Sequence, residues 1–370
     1  MKTKSSTLVT VPVERQTLMN KRQLFAAILA VVFGSFSPST ATAGPLYWDT
    51  DNTPLLQAGN GTWSINQPDP AAQRWSNVPT GSTPAAWTQN SDAFFETNGT
   101  SAVTVSGTGA SAINVNSITF DGTGYTISGD PLTLTGTGGL ITTNASAIIN
   151  APLQGTVGLT KLGNATLALG STSNAYSGAT QVSGGTLLVV GSTPAGSAVT
   201  VSNPGTVLGG TGTVGGTVSV GAGATINAGL SGTAGTALAV GNLATGALTL
   251  SGALHTDASG TAATAWDKIT APGTFTINPT ATFDVSIATA GLNFQAGTTY
   301  ILVDATTLSG AFTGFAEGSL YTTNGYNFTV HYDTGAGNFD LIAVPEPSTW
   351  LSVISGSALL MACQRRRFRC

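Results

Sequence analysis

The strongest constraint on this chain is a spacing. Within residues 158–190, short apolar pairs at alternating positions, Leu167 with Leu169 and Leu187 with Val189, are separated by Gly, Ser, Asn and Thr. Alternation puts both members of a pair on one face of an extended strand. The intervening Gly and Asn accept the positive-φ turns that end a strand after a few residues. Leu167, Leu187 and Val207 lie twenty residues apart, and Val218 and Leu238 repeat the step. A fixed period of this size marks a solenoid, one coil per period, with inward residues buried against neighbouring coils. With strands as the units, the spacing predicts an all-β parallel β-helix.

The same texture extends over residues 101–296. Val103/Val105, Ile113/Val115, Ile118/Phe120, Leu132/Leu134, Val199/Val201, Leu248/Leu250 and Phe275/Ile277 alternate with Ser, Thr, Asn and Gly. Two-residue pairs are individually weak, and stacking them in a parallel ladder makes them cooperative. From 297 to 343 the apolar runs lengthen, and Asp333 to Gly337 reads as a hairpin loop, so this stretch is expected to be an antiparallel cap. Residues 44–100 carry Trp48, Trp63, Trp75 and Trp87 among six prolines. Bulky aromatics on irregular backbone suit an N-terminal cap, and the alternative role for these four tryptophans is a platform for sugar rings.

The residues from 158 to 190 resemble a known family, the autotransporter-associated β-strand repeat, also called the passenger-associated transport repeat. Its pattern maps onto Leu159, Lys161, Gly163, Leu167, Leu169, Gly170, Asn174, Tyr176, Gly178, Thr180, Val182, Gly185 and Leu187. Ala165 replaces a glycine of the pattern, and the loop before Tyr176 carries extra residues. The resemblance implies an exported bacterial passenger folded as a right-handed parallel β-helix. As a residue of the repeat's own pattern, Lys161 is expected to be structural and to point outward. The family repeat often precedes an outer-membrane barrel; none is recognised after Ala343, so self-transport is not expected.

Both termini read as export signals. Lys21 and Arg22, the apolar run Leu24 to Phe33 and the small-residue site Ala41-Thr42-Ala43 form a secretory signal over residues 1–43, with Met19 a second candidate start. Signal peptidase and the Sec machinery are the partners this implies. At the other end, residues 344–370 combine Pro345-Glu346-Pro347, an apolar segment over about 349–363, and Arg365, Arg366, Arg367 and Arg369. This order resembles the PEP-CTERM sorting signal, which implies processing by an exosortase-type membrane protease and a link to exopolysaccharide. The apolar segment is shorter than the roughly twenty residues of a comfortable span, and the arginines would stay cytoplasmic as a membrane stop. A transient inner-membrane intermediate followed by the surface or matrix of a Gram-negative-type bacterium is the expected localisation.

Charge excludes one partner class. Charged residues are 8% of the chain, against about 25% in ordinary domains. Between residues 44 and 344 only Arg74, Lys161 and Lys268 stand against fourteen acids, a net charge of −11. Nothing there could neutralise phosphates, so nucleic acid is not expected as a partner. The two cysteines, Cys363 and Cys370, lie in the tail and cannot staple the body.

Catalysis on a β-helix needs paired carboxylates, or a base beside basic residues. The candidates are His255 with Asp257, Asp267 with Lys268, and His331 with Asp333, each local and isolated. His331 and Asp333 alternate on a strand entering a hairpin, which suggests a solvated face. Gly210 to Gly215 spells GxGxxG, but no helix signal follows, so no dinucleotide is expected. No catalytic, cofactor or metal residue is assigned. The sequence therefore reads as a non-catalytic surface or matrix protein, with an adhesin or glycan-binding module as the alternative and a polysaccharide lyase or hydrolase a distant third.

Overall fold

The computed structural model describes residues 43–51, 53–65, 74–81, 83–229, 240–288 and 290–344, all within the unit Thr42–Cys370. Ala41, Pro345, Glu346, Pro347, the arginine cluster and the apolar tail segment lie outside the described residues.

The described chain is all-β, built on two long sheets that are mainly parallel, as in a β-solenoid. One sheet takes its strands in sequence order and only in parallel. They are Gly61–Trp63, Ser101–Val105, Tyr125–Gly129, Ala147–Ile149, Thr166–Leu169, Thr186–Val189, Val207–Gly210, Thr225–Ala228, Ala253–Ala258 and Thr282–Ile287. The other sheet carries a second parallel ladder, from Ser91–Phe95 through Leu140–Thr143, Leu159–Leu162, Thr180–Val182 and Val218–Val220 to Lys268–Ile277 and Thr299–Ser309. A third short ladder, Leu132–Leu134, Leu153–Gly155 and Ala175–Tyr176, joins it through Ile113–Phe120.

The alternation decides which side chains become core. In the first sheet Ala147, Leu167, Leu187, Leu208, Ile226, Leu254 and Phe283 stack in one column, and each is buried. In the second ladder the matching column is Ile118, Ile141, Lys161, Val182, Val201, Val220, Leu250 and Ile277. Parallel partners sit about 4.8 Å apart, so every inward side chain packs on those above and below it.

The register corrects the strict twenty-residue step. Leu187 pairs with Leu208, whereas Val207 pairs with Thr186 and is only half buried. A slip of one residue exchanges the two faces of a strand, and the coil between them is 21 residues long. Val218 belongs to the other sheet, opposite Val199 and Leu248, and Leu238 lies outside the described residues. The first-sheet column advances by 20, 20, 21 and 18 residues from Ala147 to Ile226, then by 28 and 29 to Leu254 and Phe283.

At the N-terminal end Pro45–Trp48 pairs in parallel with Ser91–Phe95 and antiparallel with Trp75–Ser76. At the other end Thr299–Ser309 remains parallel to Lys268–Ile277, so coil geometry continues past residue 297. Antiparallel pairing then takes over through Asn338–Ala343, Tyr326–Asp333 and Leu320–Thr323. The Asp333 to Gly337 hairpin is present, with Asp333 Oδ1 accepting from the backbone N–H of Gly335 and Ala336. The last strand of the first sheet is engaged by side chains. Tyr321 Oη accepts from Val285 N at 2.9 Å, and Thr323 Oγ1 donates to Val285 O at 2.7 Å.

Candidate functional site

Four places carry the residues that chemistry would need. The first is the tryptophan group, which corrects the sugar-platform alternative. Trp48, Trp63, Trp75 and Trp87 are 0%, 0%, 2% and 4% exposed. Their rings pack on one another at centroid distances of 4.7–5.2 Å and on Phe95. Trp48, Trp63 and Trp75 sit at inward strand positions, so their indole faces are spent on each other and none is offered to a sugar. Such edge-to-face packing adds about 0.5–1.5 kcal/mol per pair beyond area burial.

The second is Lys161, which points inward rather than outward. It occupies the core column between Ile141 and Val182 and is 0% exposed. Its stem packs like a neighbouring aliphatic, and its Nζ donates to the carbonyls of Leu162, Gly163 and Gly184 at 2.8–2.9 Å. Those three acceptors satisfy all three ammonium donors. They belong to the corners of two successive coils, where Gly163 and Gly185 turn at φ +77° and +57° with backbone oxygens too near for a Cβ. Burial pulls the lysine pKa down to about 8. Lys161 is thus structural, as its place in the repeat implied, but as an internal clamp between coils.

The third is the His255 cluster. His255 and Asp257 alternate on Ala253–Ala258, and their Nε2–Oδ1 distance is 3.1 Å. The next coil places Asp284 beside His255 in register, with Nδ1 2.5 Å from its Oδ2. Hydrogen bonds to Asp257 and Asp284, in that order, raise the imidazole pKa to about 10. Both ring nitrogens then carry protons engaged by carboxylates, so His255 has no lone pair with which to act as a base. Asp267 does not pair with Lys268. It is 1% exposed and accepts from Gly241 N at 2.8 Å and Asp257 N at 3.0 Å, while Lys268 pairs with Asp304 at 3.2 Å. Burial raises Asp267 to about 7 against the pull of those N–H bonds.

The fourth is His331, whose partner is Asp340 at 2.6 Å, directly across the antiparallel pair. Burial lowers its pKa, but the bond to Asp340 and the nearby acids outweigh it, so the pKa is raised. Asp333 serves the turn instead. Asp284, Asp304 and Asp340 were not legible as partners because each stands 9 to 36 residues from its mate. Only the register of the coils and strands brings them together. Among the described residues no group of three or more His, Cys, Asp or Glu side chains could hold a metal ion. No helix among them is long and apolar enough to cross a membrane.

Residues 159–189 match the passenger-associated-transport-repeat family. The chain is also similar to the adhesin BmaC autotransporter of Brucella suis biovar 1 (strain 1330), 36% identical over 165 residues. That alignment covers 43% of this chain and 4% of the relative's length.

Proposed function

We propose that this chain is an exported, non-catalytic passenger-type protein of a Gram-negative-type cell surface, with an adhesin role. One observation carries the reading: the segment that matches the passenger-associated transport repeat is built for stacking. Its apolar pairs and even its lysine are turned inward, and its hydrogen bonds close coil upon coil. Elsewhere His255, Lys268 and His331 are each paired with carboxylates rather than presented to a substrate. The similarity to an autotransporter adhesin favours the adhesin over a purely structural matrix component. Right-handed winding belongs to this reading, since parallel crossover connections take that hand in about 98% of cases, as does closure of both ends by the aromatic groups.

Export through the 1–43 signal and sorting through the 344–370 tail complete the proposal. Signal peptidase, the Sec machinery and an exosortase-type protease are its partners, and Ala41, Ala43, Pro345, Glu346 and Pro347 mark the processing. Deletion of the gene should reduce attachment of cells, and antibody to residues 101–296 should label intact cells. Unchanged attachment of the deletion strain would overturn the adhesin role. Surface material that still ends in Cys370 would overturn tail removal.

A further inference from the structure

The buried tryptophans leave a different aromatic pair outside. On Pro45–Trp48 and Ser91–Phe95, Leu46, Trp48, Ala93 and Phe95 point inward, so Tyr47 and Phe94 take the outward face. They are parallel partners in register, half-buried, and stacked at 5.2 Å with 29° between the rings. On its other flank Tyr47 stands opposite Ser76, a small residue. Asp92 and Glu96 stand two residues before and after Phe94, and Asp121 acts on Glu96. Asp92 accepts from Asn116 and Ser117 at 2.6 Å, and Asp121 accepts from Asn144 at 2.7 Å. Glu96 makes no side-chain hydrogen bond among the described residues, and burial first and the Asp121 charge second raise its pKa. Glu96 acts electrostatically on Tyr47 and also lines a groove of about 550 Å³ with Gln57, Asn98 and Thr100. That volume lies within the range of roughly 300–1,000 Å³ typical of ligand sites.

We propose that Tyr47, Phe94 and Glu96, with the groove beyond them, form a binding site for an uncharged glycan chain, a reading that rests on the adhesin role. Exposed ring surface suits the C–H face of a pyranose, which is apolar. A carboxylate with free acceptor positions suits sugar hydroxyls, because charge-assisted bonds are the stronger kind. The acidic surround at Asp92, Glu96 and Asp121 repels uronate, sulfate and phosphate groups, so a neutral polymer is selected over an acidic one. Amide and hydroxyl side chains on the groove wall extend the same chemistry to neighbouring sugar units.

The test is affinity electrophoresis and titration calorimetry of the exported full-length body with laminarin and galactomannan as neutral polymers and alginate as an acidic one. Retention by a neutral polymer, weakened about tenfold by Tyr47→Ala or Phe94→Ala, supports the site. Glu96→Gln, which keeps size and should leave the melting temperature unchanged, should also weaken it severalfold. Retention by neither neutral polymer, retention by alginate alone, or neutral binding unaltered in all three variants overturns it. Cells displaying Phe94→Ala and Glu96→Gln separate the two readings. Attachment and neutral-polymer binding that both survive in the variants sink this site and leave the adhesin role standing. No attachment by wild-type cells sinks the role itself, whatever the calorimetry gives.

Discussion

The regular coils and the wide coils solve the same problem with opposite means. From residue 147 to 226 the chain contains no Asp, Glu or Arg, and its one lysine is buried. Coils of 18–21 residues there close with short turns, and ladder bonds between coils meet nearly every backbone need. The two wide coils, 28 and 29 residues long, include backbone N–H groups, Gly241 beside a strand and Asp257 within one, that bond to a side chain instead of a neighbouring coil. Buried polar backbone must find acceptors, and the chain supplies Asp267 for Gly241 and Asp257. Irregularity of the coil accounts for the burial of Asp267.

The largest effect should come from breaking the regular column. Leu208→Ala removes a fully buried ladder residue and should cost about 2–5 kcal/mol, read by urea or thermal unfolding. A loss below 1 kcal/mol would mean that Leu208 is not in the stack. Next comes the wide coil: Asp267→Ala leaves the buried Asp257 N–H and the part-buried Gly241 N–H without their acceptor, the buried one worth about 1–3 kcal/mol. Asp267→Asn should recover part of that loss.

Dependence on pH sharpens the contrast, because the two regions differ in sign. Asp267 has its folded pKa raised to about 7, so the folded state holds the proton longer than the unfolded chain. Its contribution is therefore lost as pH rises from about 4 to 7. His255, raised to about 10, extends the decline from about 6.5 to 10. Lys161 is lowered to about 8, so the unfolded chain binds more protons between about 8 and 10.5, and its contribution rises with pH in that window. Melting temperatures across pH should therefore fall less steeply from pH 4 to 7 in Asp267→Asn. In Lys161→Met they should fall more steeply above pH 8. Identical profiles for wild type and both variants would remove the distinction. The smallest effect is Val207→Ala, within about 0.5 kcal/mol, since Val207 lies on the outer face; a cost matching that of Leu208→Ala would restore the strict twenty-residue register.

Local pattern was enough for the class of this fold. The alternation of Leu167 with Leu169 and Leu187 with Val189, punctuated by Gly and Asn, dictates short strands with one apolar face, and repetition at near twenty residues dictates stacking. The 333–337 turn was equally legible, because Asp, Gly and Thr encode it within five residues. What stayed hidden depends on residues far apart in the chain. Tryptophans near a terminus read alike whether they cover a core or offer a surface, and only the register of Pro45–Trp48 on Ser91–Phe95 turns Trp48 inward and Tyr47 outward. Lys161 carries a charge, and charge predicts solvent. Its burial became possible because two coil corners supply three carbonyls to one ammonium. One extra residue in a turn moved Val207 out and Leu208 in, since a strand's faces alternate with period two. Sequence determined that the chain would coil and bury small apolar pairs. Which polar groups share a corner was decided by coil length, which sets what lies above what.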